Sequence, residues 1–244
     1  MDNSIYITLS RQLALFRDMD ATANNIANAN TTGYNSEHIK FVSYLSKDIN
    51  LGSPNKMAFA HDISSYRNTQ SGSKKVTNNP LDVAINGNGY FAAQTPLGIR
   101  YTRAGNFQLS SDGTLVTIEG YPVLDNSNQP IVFPEDTNTV EIGETGNIKV
   151  NNEDFGQLNI VQFENEQLLE RVGHTFYTTD ATPLPADPTQ VKVAHGVLEN
   201  SNVEPVLELT HMIKVSRAVS STAKFIETIY DLQRKASNAW AQQA

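Results

Sequence analysis

The stretch Val83-Ala-Ile-Asn-Gly-Asn-Gly-Tyr-Phe-Ala-Ala-Gln-Thr-Pro-Leu-Gly-Ile-Arg-Tyr-Thr102 decides the fold. Its Gly87-Asn88-Gly89 follows the strand-like Val83 to Ile85, as the glycines of a dinucleotide fingerprint would. That fingerprint needs a helix next, because the free amides of a first helical turn hold the pyrophosphate. Here Tyr90 to Gln94 comes next, then Pro96-Leu97-Gly98 and Ile99 to Thr102, two short runs with a turn between them. The glycine pair therefore reads as a hairpin element, and the region as antiparallel β structure.

The same grammar continues on both sides. Phe107 to Leu109, Leu115 to Ile118 and Tyr121 to Leu124 are short runs, with Asp112-Gly113 suited to a tight hairpin. Val140 to Ile142, Ile148 to Val150, Leu158 to Phe163, Thr175 to Thr178 and Val191 to Ala194 are further strand candidates. Thr179 to Pro188 holds three prolines and reads as a loop. Residues 34–75 mix apolar alternation at Ile39, Phe41, Met57 and Phe59 with Gly, Ser and Pro, and are expected to be an extended linker.

The ends have a different period. Ile5, Leu9, Gln12, Phe16, Met19, Ala23 and Ile26 are spaced by alternate fours and threes, a helical stripe that dissolves into Asn28 to Gly33. Asn200 to Pro205 is a helix start, after which Leu209, Met212, Ser216, Val219, Ala223, Ile226, Tyr230, Gln233, Ser237 and Trp240 repeat the spacing. About 35 residues at 1.5 Å each make a rod of roughly 50 Å, longer than a small domain is wide. The expected fold class is α+β: N- and C-terminal heptad helices in a paired helical layer, with a central all-β domain of short, mainly antiparallel strands. The expected domains are 1–33 with 200–244 (helical), 34–75 (linker) and 76–199 (β).

Composition removes several functions. Lys plus Arg is 18 against 26 Asp plus Glu, a net charge of −8, and the longest basic run is Lys74-Lys75, so no nucleic-acid partner is expected. With no cysteine there is no disulfide, thiolate or Cys-based zinc site. No apolar run reaches the 18 or so residues of a membrane span, and the N-terminus lacks a secretory signal's basic start and apolar core. His38, His61, His174, His195 and His211 show no i, i+4 pair of a zinc helix, and ordinary packing or surface roles are expected. Glu135, Asp136, Glu141 and Glu144 could serve a carbohydrate-acting enzyme only if the fold set their separation, and otherwise read as solvated acids. Neither catalytic, cofactor nor metal residues are assigned.

Four blocks carry a family resemblance. Ala23-Asn-Asn-Ile-Ala-Asn-Ala-Asn-Thr-Thr-Gly-Tyr34 resembles the N-terminal signature of the bacterial flagellar axial proteins of the rod and hook. Thr77 to Phe91 resembles that family's central motif, and Tyr101 to Phe107 with Asp112, Gly113 and Gly120 to Leu124 continues it. Gly196 to Val203, followed by Met212-Ile213 and Arg217-Ala218, resembles its closing signature, with Val219 where an aromatic is common. The resemblance implies a structural subunit of the flagellar basal-body rod, proximal by its modest β domain, with a distal rod subunit as the alternative. A periplasmic carbohydrate-acting enzyme is the reading of another class. The resemblance further implies export by the flagellar type III apparatus without a cleaved signal, and a periplasmic place in the basal body. Partners would be other rod subunits and copies of this chain, with no cofactor and no membrane insertion. The assembly interface expected on the helical stripes is Ile5, Leu9, Phe16, Met19, Ile26, Leu209, Met212, Val219, Ala223, Ile226 and Tyr230.

Overall fold

A computed structural model describes residues 2–46, 57–137 and 139–241, with the backbone alone at 2–4, 41–46, 57–64 and most of 236–241. The chain divides into two compact units, one of Met1–Ala27, Glu37–Arg67 and Glu204–Ala244, the other of Asn28–Ser36 and Asn68–Val203.

In the first unit α1 (Asp2–Ala27) and α2 (Pro205–Ala241) are the two terminal helices. Proline opens α2 where its missing N–H costs nothing, and Glu208 lies in the first turn, where its charge suits the helix dipole. The helices run antiparallel: both Asp18 carboxylate oxygens lie 3.1 Å from His211 Nε2, while Ile7 and Arg11 share a groove with Ala218 and Phe225. Between them in sequence, β1 (Glu37–Ser46) and β2 (Met57–Arg67) pair antiparallel from Glu37 opposite Arg67 to Ser46 opposite Met57, with a bulge between Val42 and Ser43. A lone two-stranded ribbon is marginal in water. Here α1 supports it, for the Asn25 side chain accepts from the Glu37 N–H at 3.0 Å and donates to the Glu37 C=O at 2.8 Å. The stretch expected as a linker thus holds this ribbon, and its residues 47–56 lie outside the described residues.

The second unit is the β domain. Its strands are β3 (Lys74–Val76), β4 (Val83–Asn86), β5 (Tyr90–Thr95), β6 (Gly98–Thr102), β7 (Gln108–Leu109), β8 (Leu115–Val116), β9 (Val140–Ile142) and β10 (Asn147–Val150). They continue with β11 (Glu153–Gln157), β12 (Ile160–Gln162), β13 (Glu170–Val172), β14 (Phe176–Thr178), β15 (Leu184–Pro185), β16 (Lys192–His195) and β17 (Val197–Glu199). Every pairing among them is antiparallel, and the largest sheet has the order β13-β14-β6-β5-β12-β15. Side chains alternate across a strand, so Tyr90 and Phe91 of β5 enter different cores. Phe91 packs with Val83, Ile85, Leu115, Ile148 and Leu158, and Tyr90 with Val161, Phe163, Leu169 and Tyr177. Burial on both faces explains why β5 reads as a continuous apolar run; each large side chain so covered contributes about 1.5–3 kcal/mol.

Local chemistry accounts for the departures from expectation. Tyr121 to Leu124 forms only isolated bridges, Pro122 to Val116, Val123 to Ala93 and Leu124 to Pro130, because Pro122 has no N–H for a ladder. The proline-rich loop yields β15 at a sheet edge, where a missing N–H is tolerated. At the Asp112-Gly113 turn, hydrogen bonds from Ser110 and Thr114 hold the Asp112 carboxyl below its usual range.

Gly87 and Gly98 both have φ +103, so they separate backbone strain from crowding. A Cβ at Gly98 would meet nothing within 4 Å, whereas one at Gly87 would stand 2.4 Å from the Gln190 carbonyl oxygen. Gly98→Ala should cost the backbone term alone, about 1–3 kcal/mol, and Gly87→Ala clearly more. Urea unfolding followed by tyrosine near-UV circular dichroism measures both; equal losses would mean that the Gln190 segment yields freely.

Candidate functional site

The largest fully buried side chain of the β domain is Arg103, 2% exposed, paired with Glu199, 1% exposed. Its Nε and Nη2 donate to Glu199 Oε2 at 3.2 and 2.9 Å. Nη1 donates to the carbonyls of Gly87 and Gly89 at 3.2 and 3.1 Å, and Nη2 also donates to Ser71 Oγ at 3.1 Å. All five guanidinium N–H groups are thus used, which is what a buried arginine requires. Glu199 Oε1 accepts from the Gly72 N–H at 3.1 Å, and the Glu199 carbonyl accepts from the Gly33 N–H at 2.8 Å.

Asn202 makes a second lock. Its Oδ1 accepts from the Ser36 N–H at 2.7 Å, and its Nδ2 donates to the carbonyls of Asn68 and Gln70 at 2.8 and 2.7 Å. Beside it, the Arg171 guanidinium lies 4.2 Å from the Tyr34 ring centre and donates to the Asn35 carbonyl. The segments around Gly33-Tyr34, Gly87-Gly89, Arg103 and Glu199 to Asn202 therefore meet in one place. Reading by spacing missed Arg103, Glu199 and Asn202 as a group. Only their membership of the quoted blocks marked them, since no local pattern joins residues 96 apart.

The residues weighed for catalysis are engaged singly. His195 Nε2 lies 3.0 Å from the Pro80 carbonyl oxygen, His211 pairs with Asp18, and His38 stacks near Tyr66 with Glu208 at 3.9 Å. The His61 side chain lies outside the described residues. Glu144 makes an exposed ion pair with Lys192, and Glu135, Asp136 and Glu141 are exposed. Among the described residues no group of three or more His, Cys, Asp or Glu could hold a metal ion. Gly87-Asn88-Gly89 leads into β5 rather than into a helix.

The helical stripes divide. The line of least exposure along α2 runs Glu208, Met212, Val215, Val219, Thr222, Ile226, Ile229, Gln233, and along α1 through Ala14, Asp18, Thr22 and Asn25. Of the expected interface residues, Met212, Val219 and Ile226 share that line and are half-buried, as are Ile5, Met19 and Ile26. Leu9, Phe16, Leu209, Ala223 and Tyr230 are exposed, Phe16 at 39% and Tyr230 at 56%. Tyr6, Leu13, Val206, Leu207, Ile213, Phe225 and Leu232, which the stripes did not include, are exposed with them. The buried line is thus rich in small and polar residues, while larger apolar side chains remain in water.

The β domain thus holds a buried polar lock on distant segments, and the helical unit holds a pair of helices with uncovered apolar side chains. Residues 5–35 match the family described as flagella basal body rod protein. Residues 84–150 match the flagellar hook protein FlgE/F/G D1 domain, and residues 194–239 the flagellar basal body rod FlgEFG protein C-terminal region. The flagellar basal-body rod protein FlgF of Mesorhizobium japonicum is 37% identical over 91% of both chains, and FlgF of Caulobacter vibrioides 35% identical over 97% of both. The rod protein FlgG of Bacillus subtilis is 33% identical over 98% of this chain and 99% of its own. The chain belongs to the flagellar basal-body rod protein family, which is structural.

The lock makes a stability prediction. Arg103→Lys and Glu199→Gln should each destabilise the β domain by about 3–5 kcal/mol, because each leaves buried polar groups without partners. The double variant Arg103→Met with Glu199→Leu should lose clearly less than the sum of its single variants, measured by urea unfolding as a double-mutant cycle. Additive losses would show that the two residues act independently.

Proposed function

We propose that this chain is a proximal subunit of the flagellar rod, joining other rod subunits and copies of itself through its terminal helices as part of a torque-transmitting shaft. The observation that carries this is the apolar surface left open on the helix pair: Leu9, Leu13 and Phe16 on α1, and Leu209, Ile213 and Tyr230 on α2. Exposed apolar surface of this kind marks a protein–protein contact. Contacts that repeat head to tail without closing generate a helical array. The proximal position rests on relatives named FlgF at 37% and 35% identity, and relatives named FlgG support the distal position as the alternative.

The stripes given above as the interface have two parts in this reading. Leu9, Phe16, Leu209, Ala223 and Tyr230 face neighbouring subunits. The half-buried Ile5, Met19, Ile26, Met212, Val219 and Ile226 serve both the helix pair and its neighbours. The assembled rod lies in the periplasm, and the chain reaches it through the type III export apparatus without a cleaved signal.

Phe16→Asp and Tyr230→Asp place charges where the free chain is wet and the assembly is apolar, a cost of several kcal/mol only after assembly. Both variants should keep the free chain's melting temperature and be exported, yet be absent from purified basal bodies, leaving cells non-motile. Asp231→Asn, a polar exchange at an exposed position, should be tolerated. Normal swimming with either aspartate variant present in basal bodies would exclude this face as the assembly surface.

A further inference from the structure

A cleft of about 390 Å³ opens on the β domain, bordered by the amide side chains of Asn126, Asn128, Gln157 and Asn159. No ionisable side chain lines it, in a chain that carries 18 Lys and Arg and 26 Asp and Glu. Its size falls within the usual range of ligand sites. The amides are fixed in pairs: Asn126 Nδ2 donates to Gln157 Oε1 at 2.7 Å, and Asn159 Nδ2 to Asn128 Oδ1 at 2.8 Å. Gln157 Nε2 is held in turn by the Thr145 carbonyl at 2.7 Å. This wiring leaves Asn126 Oδ1, Asn159 Oδ1 and Asn128 Nδ2 without a protein partner among the described residues, so acceptors and donors stand side by side with their orientations already set. Pre-ordered groups bind without a further entropy cost.

Apart from Thr145, whose hydroxyl donates to Asn147 Oδ1 at 2.9 Å, the remaining lining is apolar, chiefly the rings of Pro183, Pro185 and Pro188 and the side chains of Ile160 and Val161. An added peptide strand has no place to pair. β12, which supplies Ile160 and Val161, is bonded on one side to β5 and on the other to β15. β15 forms the sheet edge and contains Pro185, which has no N–H to offer. What fits is a ligand with neutral groups that both donate and accept, on rings with apolar C–H faces.

We propose that this cleft binds a neutral glycan, its hydroxyl or acetamido groups taken by the Asn126, Asn128 and Asn159 amides and its ring faces by the prolines. The proposal is independent of the rod assignment, because it concerns the unassembled chain. The test titrates the full-length ¹⁵N-labelled chain with N,N′,N″-triacetylchitotriose and follows the asparagine side-chain NH₂ signals. Saturable shifts at these three residues with a millimolar midpoint are expected, and Asn128→Gly, which keeps the left-handed backbone of that position (φ 58) while removing the amide, and Asn159→Leu should each weaken binding by about tenfold or more. Leu97→Ser, on the β5–β6 turn outside the cleft, should bind as the parent chain does. Circular dichroism establishes that the variants are folded, and Asn128→Gly alone decides if Asn159→Leu is not. No saturation by about 20 mM, binding unchanged in Asn128→Gly, or tighter binding at these amides by an uncharged extended peptide would each overturn the proposal.

Discussion

The β domain depends on a charge it can hardly afford to hide. Moving a guanidinium out of water costs several kcal/mol even after relaxation, and only complete pairing returns it. Arg103 is completely paired, and its acceptors come from three separate parts of the chain: Ser71, the Gly87 to Gly89 turn, and Glu199. Because none can move without stranding the charge, the pair fixes which loops meet, while the apolar cores on either side of β5 supply most of the stabilisation. The Gly87-Asn88-Gly89 turn then has a clear purpose: it brings two carbonyl oxygens within 3.2 Å of one guanidinium.

The helical unit distributes its residues differently. A helix pair meant to stand alone would cover its largest apolar side chains. This one covers Ala14, Asp18, Thr22, Val215 and Thr222 and leaves Leu13, Phe16, Phe225 and Tyr230 outside. Such an arrangement gives modest cohesion in the single chain and leaves its largest apolar side chains in contact with water.

Much of this architecture was legible locally. The β5–β6 hairpin follows from Pro96-Leu97-Gly98, the β7–β8 turn from Asp112-Gly113, and both helices from spacing and end residues, because these signals act within a few residues. Short partner strands such as β3, β11, β13 and β17 were not legible. β3 is exposed along its length and its place is set by β17, more than a hundred residues away. The stripes on the helices were found with the right period, but a period does not say which edge of the stripe the same chain covers. In α2 the covered line keeps Met212, Val219 and Ile226 and replaces Leu209, Ala223 and Tyr230 with their neighbours Glu208, Thr222 and Ile229. The Arg103–Glu199 lock was equally hidden, since it joins residues that no window of sequence contains.

That same lock imposes an order of events. Gly33 bonds to the carbonyl of Glu199, Ser36 to Asn202, and Lys74 to Val76 pair with Val197 to Glu199. The early segments of the β domain therefore have no place to settle until nearly the whole chain is present. Closing loops of that length is slow, since the entropy is lost before the contacts repay it. A polypeptide built this way completes its β domain only once its last quarter is present.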